Sequence, residues 1–174
     1  MILDMRPMLR GEVNRIHIDY PFSPVLPSDV RPAGDARVTG DVTDQAGYMH
    51  LVLTVTVGYE TVCARCLDPV KGEFTVSLER TVAAKETLSE KQLEENVDEY
   101  AVLQDGMLDL GELVGEELLL SFPMRFLCSE DCPGLCPKCG KPRRLGKCGC
   151  PEKEPDPRLA VLKTLLDQSD KSDS

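Results

Sequence analysis

Much that would assign this 174-residue chain quickly is missing from it. No apolar run approaches the roughly 18 residues of a membrane-spanning helix, so none is expected. The start, MILDMRPMLRGEV, has no apolar h-region and no small-residue cleavage site. A secretory signal is therefore not expected, and the cytoplasm is the expected compartment. GxSxG, HExxH and P-loop patterns are absent, which removes the motifs of three large enzyme classes. The acids show no regular D-x-D arrangement for Mg²⁺. Histidine is scarce: His17 and His50 lie in or beside strand patterns, far apart in sequence, and read as half-exposed strand residues. No internal repeat is visible. These absences leave little candidate catalytic chemistry.

Basic residues are also in the minority, 20 against 30 acids, for a formal charge of −10. That argues against a simple nucleic-acid-coating protein, whose affinity comes from neutralising phosphates. The placement of the charge says more than its sum. Between Glu86 and Glu117 eleven acids stand with one base, Lys91, so that this stretch alone carries −10. From Cys136 to Cys150 the sign reverses: Lys138, Lys141, Arg143, Arg144 and Lys147 stand with no acid. The chain is segregated by charge.

Alternation marks the strands. Ile16 to Tyr20, Leu51 to Val57 and Phe74 to Leu78 each read with period two and many β-branched residues. Turn signals separate them at Pro21 to Pro32, Asp44 to Gly47 and Asp68 to Gly72. No helical crossover fits between these runs, so an antiparallel meander with one buried face is expected. Leu88 to Asn96 is polar on most sides and reads as a short exposed helix or a loop. Tyr100, Val102 and Leu103 could return one more strand. Asp109 with Glu112 three residues later makes a capping-box-like helix start. Leu110, Leu113, Val114 and Leu118 follow at helical spacing, and Pro123 marks the stop. Glu112, Glu116 and Glu117 then read as a solvated helix face. Further on, Asp156 and Pro157 open a helix with an apolar stripe at Leu159, Leu162, Leu165 and Leu166, before a disordered tail from Ser169. The expected class is α+β: an antiparallel meander packed by one long helix, then a cysteine-rich segment and a terminal helix. The expected divisions are 1–127, 128–168 and 169–174.

Against the missing motifs stand eight cysteines: Cys63-x2-Cys66, then Cys128-x3-Cys132-x3-Cys136-x2-Cys139-x8-Cys148-x-Cys150. A disulfide framework is disfavoured in a chain with no export signal. A thioredoxin-like pair needs its first cysteine at a helix start, whereas a β-branched run leads straight into Cys63. Metal is the strongest reading, because Cys-x2-Cys turns aim two thiolates at one ion and Zn²⁺ takes four tetrahedrally. The favoured partition joins Cys63 and Cys66 to Cys128 and Cys132, and keeps Cys136, Cys139, Cys148 and Cys150 as a local site. The alternative fills one site and leaves the other thiols merely buried. Closed four-thiolate sites hold no open coordination position, so a structural role is expected.

These pieces together carry a resemblance. Cys63-Ala-Arg-Cys66-Leu67, the helix from Leu108 to Pro123, the run from Cys128 to Gly140, Cys148-Gly-Cys150 and Asp156-Pro-Arg-Leu159 occur in that order. They closely resemble the YceD-like family, described as large ribosomal RNA subunit accumulation proteins and as metal-binding proteins with nucleic acid a candidate partner. After Gly140 the family often shows an Asn-Leu-Asn-like stretch, where this chain has Pro142, Arg143 and Arg144, so no role of those asparagines is carried over. The resemblance implies a cytoplasmic, non-enzymatic factor supporting 23S rRNA accumulation and large-subunit assembly. Ribosomal RNA or a pre-50S particle would be the partner. The five bases of the cysteine segment are candidate phosphate contacts, or else merely solubilise it. The acidic 86–117 stretch could receive a basic ribosomal protein. A zinc-stabilised adaptor with a protein partner and no RNA contact is the competing class, and a thiol oxidoreductase a distant third.

Overall fold

The computed structural model describes residues 1–88 and 99–151. Residues 89–96 of the helix-or-loop stretch, the helix from Asp156 and the tail from Ser169 fall outside the described residues. The chain forms two compact units, Met1–Cys132 and Pro133–Ser174.

The first unit is mostly sheet. Its strands are β1 (Ile2–Asp4), β2 (Arg15–Phe22), β3 (Arg31–Pro32), β4 (Ala36–Gln45), β5 (Tyr48–Val62), β6 (Pro69–Ala84), β7 (Tyr100–Leu103) and β8 (Met107–Asp109). Its α-helices are the short α1 (Arg6–Leu9) and α2 (Leu110–Ser121). The main sheet runs β2-β4-β5-β6-β7 with β3 paired to β5, and β1 pairs separately with β8. Alternation decides the faces. Leu51, Leu53, Val55 and Val57 of β5 are fully buried. Between them Thr54 and Thr56 meet Ser77 and Thr75 of β6 hydroxyl to hydroxyl, at 3.5 and 3.2 Å. Ile18, Val38, Val42, Leu78, Val82, Ala101 and Leu103 share the buried face with Met5, Met8, Leu110, Val114 and Leu118 of the helical segments.

Several expectations need correction. The sheet is mixed, because β7 runs parallel to β6 from Thr81↔Tyr100 to Ala84↔Leu103. A parallel neighbour needs a returning connection, here the residues between Ala84 and Tyr100. Strand order is also not sequential, since β2 lies beside β4. The turn signals at Pro21, Pro32 and Pro69 to Gly72 fall inside strands. Proline is tolerated there for a positional reason: Pro21 sits on a strand at the sheet's end, Pro32 on a two-residue strand, and Pro69 opens β6. Helix α2 has 12 residues, an ordinary length. Its start follows the capping logic, with the Asp109 side chain accepting from the Gly111 and Glu112 N–H groups. It stops before Pro123, where Phe122 turns extended.

Glu112 and Glu116 are exposed as expected, but Glu117 is not part of a solvated face. It accepts from the Arg80 guanidinium at 2.8 Å, with the two side chains only 15% and 17% exposed. A charge on β6 therefore neutralises a charge on α2 where they pack.

Candidate metal centres

The β5–β6 hairpin carries the first centre. Its ladder runs from Met49↔Val82 to Val62↔Pro69, and Cys63–Asp68 is the loop that closes it. The loop is a tight knuckle: Leu67 N–H donates to the Cys63 carbonyl at 2.9 Å, and Cys63 N–H to the Asp68 carbonyl at 2.8 Å. This geometry puts Leu67 in the left-handed region, φ 61°. The other two thiols arrive from the end of α2. Phe122 and Phe126 pack against Tyr59 at ring-centroid separations of 5.8 and 4.7 Å, and Ala64 N–H donates to the Phe126 carbonyl. That anchor delivers Cys128 and Cys132 to Cys63 and Cys66.

The four sulfurs lie within 4.8 Å of one another. Cys63 and Cys132 are 3.7 Å apart, and Cys66 and Cys128 3.5 Å. These are too long for a disulfide, about 2.05 Å. They match the edge of an S₄ tetrahedron around zinc, about 3.8 Å for Zn–S bonds of about 2.3 Å. The donor set fits the ion. Cys63, Cys66 and Cys132 are buried, and Cys128 is exposed.

The second centre lies wholly in the second unit. Cys136, Cys139, Cys148 and Cys150 also place their sulfurs within 4.8 Å of one another. Its Cys-x2-Cys turn repeats the first knuckle bond for bond. Gly140 N–H donates to the Cys136 carbonyl at 2.8 Å, and Cys136 N–H to the Lys141 carbonyl at 2.9 Å. Gly140, at φ 72°, occupies the position that Leu67 holds in the first. Here Cys139 is exposed and Cys148 and Cys150 are half-buried.

Each knuckle favours one thiolate. Burial pushes the Cys63 thiol up, but the N–H groups of Arg65, Cys128 and Cys66 together outweigh it and lower it to about 6. The N–H groups of Cys139 and Lys138 lower Cys136 to about 6. Cys66, Cys128 and Cys150 tend the other way. The Asp68 carboxylate, 3.0 Å from the Cys66 sulfur, pushes that thiol up to about 11. Cys139, then Cys148, push Cys150 up to about 12. Cys63 and Cys136 are thus the readiest ligands, while Cys66, Cys128 and Cys150 must give up protons as an ion binds.

The residues between the cysteines were not all legible. Arg65, inside the first Cys-x2-Cys, donates to the carbonyls of Glu130 and Cys132 at 3.2 and 3.0 Å. It ties the hairpin loop to the incoming pair, and nothing in its sequence position names those acceptors. The five candidate RNA-contacting bases are all exposed. Lys138, Arg143 and Lys147 line one cleft of about 710 Å³, with Cys136, Cys148 and Cys150 in its wall. Lys141 and Arg144 do not line it. His17 and His50 sit on strands beside carboxylates, 3.0 Å from Asp41 and 2.9 Å from Glu79.

The family described as "Large ribosomal RNA subunit accumulation protein YceD" matches the chain over residues 51–166, which takes in every cysteine. The chain belongs to the YceD family. An uncharacterized protein of Mycobacterium tuberculosis is 36% identical over 118 residues, 67% of this chain and 56% of that protein. The Bacillus subtilis protein YlbN, also uncharacterized, is 30% identical over 148 residues, 84% of this chain and 83% of YlbN. This YceD-family chain thus spans about half the length of the mycobacterial relative and most of YlbN. No solved structure matches it. Among the described residues, no helix is long and apolar enough to cross a membrane.

Proposed function

We propose that this chain is a cytoplasmic, non-enzymatic factor supporting 23S rRNA accumulation and large-subunit assembly. It holds one structural zinc in each tetrad and contacts RNA phosphates through the cleft of Lys138, Arg143 and Lys147. The observation that carries the RNA half is the convergence of three cations on a single cleft walled by cysteines of the second tetrad. The family description supports the ribosomal setting. Four-thiolate sites leave no coordination position for a substrate, which supports a structural ion.

The test is binding to single-stranded 23S rRNA fragments across a salt series. Removing three phosphate contacts in Lys138→Ala/Arg143→Ala/Lys147→Ala should flatten the log–log salt slope by about 2. Lys141→Ala/Arg144→Ala should change it less. If the triple variant binds with wild-type affinity and slope, the cleft is not the contact. For the metal, elemental analysis of protein purified without added metal should find two zinc per chain. Less than one, with every thiol free to react, overturns the assignment. The competing reading is a zinc-stabilised adaptor with a protein partner and no RNA contact. Crosslinking in cells that recovers a protein partner and no RNA, with no co-sedimentation with pre-50S particles at low salt, would favour it.

A further inference from the structure

A second concave surface lies in the first unit, on the side of the charge balance that the RNA reading leaves unused. It is a groove of about 500 Å³ built from β1, β7, β8, the turn between the last two, and the first turns of α2. Its apolar lining comes from Ile2, Tyr100, Val102, Met107, Leu108 and Leu113. Ile2 is 61% exposed, so this surface is not sealed by the fold. Around it stand Asp105, Asp109, Glu112 and Glu116, and no base lines it.

Charge and backbone both bear on these acids. Elsewhere in the unit Asp4, Glu12, Asp19, Asp41, Glu60 and Glu117 each face an arginine or lysine. Among the described residues, the four groove acids make no ion pair. The backbone also holds them in place rather than leaving them on a loose loop. Asp105 (φ 52°) and Gly106 (φ 75°) form the left-handed pair of a tight turn closed by Gln104 and Met107. Asp109 is fixed as the cap of α2, and Glu112 and Glu116 follow one helical turn apart on the same face. Beside them β7 ends the main sheet, and among the described residues it is hydrogen-bonded only to β6. Tyr100 and Val102, alternate residues of that strand, project to the groove.

We infer that this groove binds an extended, basic segment of a partner protein, in which apolar side chains alternate with lysine or arginine. The apolar side chains meet the half-buried Val102, Met107 and Leu113, the cations meet the four acids, and the edge of β7 that carries no partner among the described residues offers backbone pairing. RNA is excluded by like charge, and a bare cation would leave the apolar lining wet. The groove shares no lining residue with the cationic cleft, so failure here leaves the RNA reading standing, and the reverse.

The probe is the fluorescently labelled peptide acetyl-Lys-Val-Arg-Ile-Lys-Val-Arg-Ile-amide, titrated with the full chain and followed by anisotropy. The wild type should bind it. Glu116→Lys should weaken it by about tenfold, and Glu112→Gln by less. Glu73→Lys, the same charge change on β6 outside the groove, should alter it less than twofold. A peptide with serine for every valine and isoleucine should bind much more weakly. Several results would overturn the inference: no binding to wild type, equal losses in Glu116→Lys and Glu73→Lys, or equal affinity for the serine peptide. So would a dimer of the chain alone that Glu116→Lys dissociates, because the groove would then be occupied by a second copy. Circular dichroism on each variant separates misfolding from loss of contact.

Discussion

The two cysteine tetrads use the same knuckle in opposite settings. In the first, the knuckle closes a long hairpin whose sheet has its own apolar core, and an aromatic cluster brings up the remaining pair. In the second, the knuckle stands in a stretch of turns. Between Pro133 and Pro151 only Gly134 and Cys136 are buried, and the only helical element is the 3-10 turn Arg143–Leu145. The first ion would therefore be added to a fold, and the second would stand where a core is missing. Small modules without an apolar centre depend on such a staple.

The largest expected effect follows from that difference. Treatment with a strong chelator should abolish hydrogen-exchange protection at the Cys136, Gly140 and Arg143 amides while the β4–β5–β6 amides stay protected. Simultaneous loss in both units would end the distinction. Metal release should also be biphasic. The fast phase, from the exposed Cys139 site, should vanish in Cys139→Ser, and the slow phase should vanish in Cys132→Ser. A next, smaller effect concerns stability. Cys132→Ser should lower the unfolding free energy of the sheet unit by about 2–4 kcal/mol, measured by urea titration, because a buried structural ligand is lost. Cys139→Ser should leave the sheet transition unmoved.

Arg65→Met tests the tie within the first centre. It keeps the aliphatic stem and leaves two carbonyls without their donor, which costs about 1 kcal/mol and should speed the slow release phase. Fast-phase release should not change.

The smallest effect addresses the two equivalent left-handed positions. Leu67 carries a Cβ where Gly140 does not, and it is 63% exposed, so little packing is at stake. Leu67→Gly should stabilise the first unit by up to about 1 kcal/mol, and Gly140→Ala should destabilise the second by about 1 kcal/mol. If both changes have the same sign, the knuckles are not equivalent.

Legibility followed the same physical lines. The cysteine pairs could be grouped from spacing because two thiols separated by two residues in a tight turn face one point, whatever surrounds them. The alternation of Leu51 to Val57 showed its face because every second residue is apolar. Strand β4 stayed hidden because Thr39, Gly40 and Asp41 interrupt the pattern between Val38 and Val42, and its strand identity comes from its neighbours. The strand at Tyr100 to Leu103 was legible but its parallel direction was not, because direction is decided by a connection, and a four-residue strand reads the same either way. Glu117 was misjudged because its partner, Arg80, lies on β6 and only the packing of α2 brings them together.

The hairpin that ends in Cys63–Asp68 has one more property. Its inner face repeats every two residues, so sliding β5 against β6 by two positions would still keep Leu51, Leu53, Val55 and Val57 inside. Alternation alone cannot forbid that slip. The knuckle can, since only the Val62↔Pro69 pairing leaves a loop in which Cys63 reaches the Asp68 carbonyl and turns its sulfur toward Cys132. The first centre therefore works as an alignment key for the longest ribbon among the described residues. A chain that misaligns its strands would be marked by its inability to close the tetrad.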